Sequence, residues 1–482
     1  MTGPRPSALA KVGDFDGEAP GSAAGRRDRK SSRRRRRSSM PAAANRPAVH
    51  PLLAQVTLVC LLALVLTGPI MTFDQVSVAG EGNLFRQLGY VAITIMAALS
   101  VRGERRFRRM AHAVPWPLVA ALAFCWLSVV WSMVPEIALR RVILTTLVVW
   151  SVFVLVRGLG YERSLLVLRV SLVVTLIANF LAVKLDPSLG IHQFDLLGED
   201  SLYQDWRGVM AHKNIAGLVC ALAVLYFAFD AGKIPVLVRL SVIGAAGYFL
   251  FYSSSRTSIG VCIAALAVGF VFAKYKYKYR TFVSGFLIAA IAAGAVVQNV
   301  YSDPFLRTMH DPDAFSGRTL IWQGMWSFYT QHPLLGAGFG SFWNIGPSGY
   351  MSSYSIDWIR TVTQGHNGFF DLLVQIGPIG LALVLFATVV VPLAKVLHSR
   401  EIQGQTGALL MALLVFMIGH NMTESSLFDR DSIGQVFFML TLGLLWTAIE
   451  TRKSATTSSD LLVWANRAIA KEANVRSART AD

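Results

Sequence analysis

The chain has 482 residues, 54% hydrophobic and 15% charged, with 45 Lys and Arg against 28 Asp and Glu. This balance excludes an ordinary soluble domain, because apolar runs of about twenty residues, enough to cross a hydrocarbon core of roughly 30 Å, recur along almost the whole length. The net charge of +17 does not call for nucleic acid, since about half of the excess lies in the first fifty residues and much of the rest in short loops.

Residues 1–50, with "RRDRKSSRRRRRSS", are too polar and too rich in Ser, Pro, Ala and Arg to form a core. They read as a disordered cytoplasmic tail able to touch anionic lipid headgroups. The run after the tail is long enough to span and shows no small-residue cleavage site, so it is not read as a cleavable signal; Met40 is a second candidate start. An all-α transmembrane domain follows over 51–450, with about twelve spans near 52–71, 84–101, 114–133, 139–157, 164–184, 214–231, 238–253, 258–273, 281–300, 370–395, 407–421 and 432–449. A C-terminal tail, 451–482, is expected in the cytoplasm.

Orientation follows from the basic loops. "RGERRFRR" (Arg102 to Arg109), "RGLGYER" (Arg157 to Arg163), "GKIPVLVR" (Gly232 to Arg239) and "KYKYKYR" (Lys274 to Arg280) fall on one side, which the positive-inside rule makes the cytoplasm together with both termini. The four cysteines, Cys60, Cys125, Cys220 and Cys262, lie inside predicted spans, so neither a disulfide framework nor a zinc site is expected.

Two segments on the other face are too long to be turns: 185–213 and 301–366. In the second, "GRTLIWQGMWSFYTQHP" places Leu320, Ile321, Met325, Phe328 and Tyr329 at helical spacing, which predicts an amphipathic helix on the membrane surface ended by His332-Pro333. The aromatics of this loop also fit simple interfacial anchors. "GAGFG" (Gly336 to Gly340) follows no strand and opens no helix, so it reads as a flexible turn and not as a nucleotide loop.

Basic residues on this face run against the orienting rule. Arg256 stands in "SSSRTSIG", Arg318 opens the interfacial helix, and Arg207, His212 and Lys213 precede the span that begins at Asn214. Singly, each fits a solvated flank. As a set, guanidinium forks suit phosphate oxygens, and an anionic membrane substrate carrying phosphate is a lipid-linked diphosphate. His366, in "QGHNGFFDLL", is then placed as a base at the membrane boundary, with Asn367 orienting the site or capping the next helix. A histidine that merely caps a helix or bonds a carbonyl is the competing reading.

The motifs "WRGVMAHKNIAG", "SSSRTSIG", "GRTLIWQGMWSFYTQHPLLGAGFGSFW" and "HNGFFDLLVQIGPIGLAL", in this order, resemble the O-antigen ligase and polymerase superfamily, in particular its exopolysaccharide polymerases of the succinoglycan type. The resemblance spans roughly Arg207 to Leu442. It implies a glycosyltransferase of the C type fold in the bacterial inner membrane, working at the periplasmic face without metal or other cofactor and inverting the anomeric centre. Its donor is a glycan on undecaprenyl diphosphate, and its further partners are a glycan acceptor, membrane lipids and the polysaccharide export machinery. By motif, Arg256 and Arg318 fall to the donor diphosphate and His366 to activation of the acceptor hydroxyl; Arg207, His212, Lys213, Asn214 and Asn367 are the remaining substrate-binding candidates.

Three alternatives stay open. "HDPDAF" holds His310, Asp311 and Asp313, a spacing that can carry a hard cation, although Pro312 between acids more often marks a turn. About a dozen spans also suits a transporter or flippase, but the polar residues collect at the outer ends of the spans instead of the midplane. Polymerase and ligase share a donor and differ in acceptor, another lipid-linked repeat unit for one, lipid A core or a different acceptor for the other.

Overall fold

A computed structural model describes residues 50–67, 82–101, 112–194, 202–300, 317–353, 357–360 and 362–452. The basic tail, almost all of the C-terminal tail, the loop Arg102 to Arg109 and the His310, Asp311 and Asp313 group lie outside the described residues.

The described residues are helical, with no strand among them. The principal helices are α1 (Pro51–Thr67), α2 (Leu84–Ser100), α3 (Trp116–Leu127), α4 (Pro135–Leu159), α5 (Tyr161–Leu185), α6 (Lys213–Ala228), α7 (Val236–Tyr252), α8 (Arg256–Ala273), α9 (Arg280–Val300), α10 (Arg318–Gln331), α11 (Gly368–His398), α12 (Gln405–His420) and α13 (Ile433–Arg452). Apart from α10, each falls on one of the apolar runs read from the sequence. Five of them, α4, α5, α8, α11 and α13, are long and apolar enough to cross a membrane, and the shorter apolar helices run 10–17 residues. Together they make the chain a polytopic membrane protein in its helical character.

Local chemistry sets the ends. Pro135 occupies the first turn of α4, where a missing N–H costs nothing. Gly160, at φ 83°, closes α4 and reverses the chain into α5. The far end of α6 is held by Arg169, which donates to the carbonyls of Tyr226, Phe229 and Asp230 at 2.9, 3.0 and 2.9 Å.

Burial separates centre from periphery. In α13, 94% of the apolar window is buried inside the protein, against 28% in α8. α6 is buried on all sides from Ala216 to Phe227. Lipid is as apolar as Leu, so such contacts depend on close approach, and small residues provide it. A Cβ added at Gly217 of α6 would stand 2.6 Å from the Cβ of Ser255, at the start of α8.

Polar contacts gather at two opposite ends. At one, Tyr161 and Thr406 donate to Asp230 at 2.7 and 2.9 Å, and the Tyr275 hydroxyl reaches the Leu397 carbonyl at 2.9 Å. The segments 128–134, 186–194, 202–213, 252–258, 332–353 and 420–432 meet at the other.

Two expectations for the large loop need correction. The apolar face of α10 does not lie on the membrane surface. Ile321, Met325 and Phe328 are buried with Phe342, Trp343, Met351 and Val374, so the loop carries a small core of its own over α11. Nor is "GAGFG" a loose turn. α11 breaks at Gly377 (φ 65°), before Pro378, whose missing N–H leaves the Val374 carbonyl without its helical donor. The turn fills that break: Ala337 and Gly338 donate to the carbonyls of Val374 and Gln375 at 2.9 and 2.8 Å.

Candidate functional site

The turn into α11 is built first. Asn367 is the N-cap, its side-chain oxygen accepting from the amides of Phe369 and Phe370 at 3.2 and 3.0 Å. His366 therefore stands just outside the helix. It holds φ 50°, a left-handed conformation that costs a non-glycine residue about 1–3 kcal/mol. Its neighbours pin it there. Gly365 N–H donates to Asp371 at 3.1 Å, Asn367 N–H to the Ser425 hydroxyl at 3.0 Å, and Gly368 N–H to the Asn421 carbonyl at 2.9 Å.

The segment 421–425, between α12 and α13, brings Glu424 to the centre. Its Oε2 lies 3.4 Å from His366 Nδ1, while Oε1 accepts from Arg318 Nη2 and Asn214 Nδ2, each at 2.7 Å. Arg318 also donates to the Thr423 carbonyl at 2.6 Å. Burial pushes the Glu424 carboxyl up, but the hydrogen bond from His366 and the charges of Arg318, His366 and His420 outweigh it and hold the group at about 2. It is an anion at any physiological pH. A hydrogen on Nδ1 facing this carboxylate leaves Nε2 of His366 as a proton acceptor directed away from it.

Arg256 opens α8 and is exposed, with no hydrogen bond or ion pair among the described residues. Its neighbours fix the start of α8 beside Glu424: the hydroxyls of Thr257 and Thr423 lie 2.8 Å apart, and Ser258 Oγ is 3.3 Å from His420 Nε2. Arg318, His366 and Asn214 therefore meet on Glu424, and the start of α8, which Arg256 opens, packs against the same short segment.

The remaining candidates are engaged elsewhere. Arg207 donates to the carbonyls of Leu189 and Ser188 at 2.9 and 3.3 Å. Lys213 pairs with Asp205 at 2.5 Å. His212 caps α6, its Nδ1 accepting from Asn214 N–H at 3.2 Å. Burial, reinforced by His192, lowers His212 to about 4, which keeps the ring neutral and able to accept. Together these three shape the loop that presents Asn214.

Residues 240–385 match the family model described as O-Antigen ligase. The match supports a relationship of this segment to the O-antigen ligase and polymerase superfamily. Members of that family act on lipid-linked glycans, and the match supports an enzyme of ligase or polymerase type. It contains Arg256, Arg318, His366 and Asn367 and leaves Asn214 and Glu424 outside. No curated protein matches the chain.

Sequence reading missed Glu424 and Asp371. Glu424 had one usable signal, an acid in the polar break "HNMTESSLFDRD" between two apolar runs. Asp371 lies within "QGHNGFFDLL" itself, as a carboxylate in the first turn of an apolar helix. The structure shows it buried and accepting from Trp343 Nε1 at 2.7 Å as well as from Gly365.

Proposed function

We propose that the protein is a bacterial inner-membrane polysaccharide polymerase that joins undecaprenyl-diphosphate-linked repeat units at the periplasmic face. In this reading the chain crosses the membrane about a dozen times, with both termini cytoplasmic. The observation that carries it is the meeting of Arg318 and His366 on Glu424, near the start of the helix that Arg256 opens.

Outside the cytoplasm no nucleotide sugar supplies bond energy, so the substrate must bring its own leaving group, and a lipid diphosphate does. Arg256 has no hydrogen bond or ion pair among the described residues and opens the helix whose Thr257 touches Thr423, the residue whose carbonyl Arg318 holds, so in this reading the two absorb the charge that develops as the anomeric C–O bond breaks. His366 Nε2 takes the proton of the acceptor hydroxyl while that oxygen bonds to the anomeric carbon from the opposite face. Undecaprenyl diphosphate departs, and the configuration inverts. Glu424 stabilises the imidazolium that forms and keeps Nδ1 protonated, so the acceptor nitrogen faces the substrate. Two guanidinium groups can fill the role that a divalent cation plays in other phosphate-handling sites, and turnover in the presence of chelator tests this directly.

A ligase reading shares every step except the acceptor. Purified protein in lipid nanodiscs, given defined lipid-linked repeat units with and without lipid A core, separates the two. Polymer without added acceptor is expected. Transfer to core alone would make the protein a ligase, and movement of lipid-linked units across the bilayer with no new glycosidic bond would make it a flippase. His366→Ala should abolish chain growth while equilibrium binding of a non-reactive lipid diphosphate glycan persists. Loss of that binding in step with activity would move His366 to the phosphate site.

A further inference from the structure

A cavity of about 310 Å³ lies beside the His366 turn, and none of Arg256, Arg318, His366 or Glu424 lines it. Its walls include Gln364 and Gly368, which flank His366, and Ser425, which follows Glu424. The cavity and the His366–Glu424 pair therefore share two chain segments. At about 30 Å³ per water, the space would hold roughly ten waters, more than an isolated hydration site and near the lower end for ligand pockets.

We propose that this cavity is a subsite for one uncharged sugar ring of the acceptor, placed so that a hydroxyl of that ring projects over the turn towards His366. The proposal rests on the glycosyltransferase reading above. Charge argues against a phosphate here. Two guanidinium groups, Arg141 and Arg430, face two carboxylates, Asp371 and Asp429, so the lining is balanced. Arg141 is also engaged, donating to the carbonyls of Gly340, Trp343 and Asn344, and Arg430 is paired through Nε with Asp429 at 3.0 Å.

Several lining groups are unengaged among the described residues, the Thr363 hydroxyl and two side-chain amides among them. The side chains of Asn344 and Gln364 make no hydrogen bond among the described residues. Gln375 accepts from Gly340 N–H through Oε1 at 2.7 Å and keeps its NH₂ for the cavity. An amide both donates and accepts, which matches a ring of hydroxyls that do the same and does not match an anion, which only accepts. Phe339, Trp343 and Phe428 add apolar surface for the C–H face of a pyranose. Trp343 is tied through Asp371 to Gly365, the residue before His366, so occupancy of the cavity and position of the base are linked by two hydrogen bonds.

The test uses full-length Gln364→Cys protein in nanodiscs with exposed Cys60 changed to Ser; the other three cysteines are buried. An impermeant maleimide should label Cys at this position. Lipid-free repeat-unit oligosaccharide, hydrolysed from the host polysaccharide, should slow labelling at least about fivefold, and sugar-free undecaprenyl diphosphate should not. Protection by the diphosphate alone would assign the cavity to the donor, and protection by neither would leave it a water-filled space; either result overturns the proposal. As a second readout, Asn344→Gly, chosen because Asn344 holds φ 50°, should raise KM for the acceptor about tenfold, as expected for one lost hydrogen bond, with donor binding intact. An unchanged KM would also count against the subsite. Wild-type protein that fails to bind any undecaprenyl diphosphate glycan would sink the glycosyltransferase reading itself, a result distinct from all of these.

Discussion

Arg256 and Arg318 carry the same charge but differ in surroundings, and that difference predicts different behaviour. Arg256 has no partner among the described residues, so Arg256→Ala should leave thermal stability unchanged and remove only transition-state stabilisation, about 2–4 kcal/mol or a hundredfold or more in rate. Arg318 is bound to Glu424, and Arg318→Ala should lower both activity and melting temperature, because a buried carboxylate loses a charged hydrogen-bond partner. Lys should rescue either only in part, being a point charge in place of a fork. Equal stability loss in the two variants would contradict this assignment. For Glu424 the sign of the pH dependence follows from its depressed carboxyl, held at about 2 against an ordinary 4.5. Its stabilising contribution is complete above about 4.5 and is lost as pH falls towards 2. Glu424→Gln should flatten the melting-temperature profile across that window and lower kcat roughly a hundredfold at neutral pH, since the amide no longer stabilises the imidazolium. Melting curves collected through the window, with turnover at neutral pH, read both effects.

At the scale of elements, the break in α11 and the turn seated in it form one unit. The turn's amides take carbonyls that the break leaves open, and its glycines hold φ 67°, 89° and 72°, at Gly336, Gly338 and Gly340. A Cβ at Gly338 would stand 2.6 Å from the Cα of Ser132, a backbone atom that cannot swing aside. Gly338→Ala should therefore cost about 1–3 kcal/mol, from strain at positive φ together with the clash. The same change should expose the 332–344 segment to limited proteolysis and reduce activity, because that segment carries the wall of the cavity beside His366. Gly232→Ala, with open space around it, is the matched control. Equal protease resistance in both variants would show that the turn is not seated as described.

At the scale of the whole molecule, the segments that bear the site meet at one end of the helices and the Lys274 to Arg280 connection lies at the other, joined by the length of α8. Single cysteines at Tyr203 and Thr363, both exposed, should react with an impermeant thiol reagent added outside intact spheroplasts. One at exposed Lys278 should react only after the membrane is opened. Labelling of the Lys278→Cys protein from outside would reverse the orientation and place the site in the cytoplasm.

The apolar runs needed no tertiary information, because a segment of that length and hydropathy has few options other than a helix buried in lipid or in its neighbours. Arg256, Arg318 and His366 stood out as candidates too, since polar residues at the ends of apolar runs are conspicuous and their order along the chain resembles a known family. Their grouping was not. Glu424 lies 58 residues from His366 and 106 from Arg318, and nothing in an acid within a short polar break reveals which cations it will meet. Residue type alone also could not distinguish Arg256 from Arg207; only folding turned Arg207 inward to the carbonyls of 188 and 189 and left Arg256 exposed, without a hydrogen bond or ion pair among the described residues. Likewise the periodicity of α10 showed that one face was apolar, but not whether lipid or protein would cover it. That choice belonged to the small core the loop builds over α11, where burial is decided by which chain segments are close enough to exclude water and lipid alike.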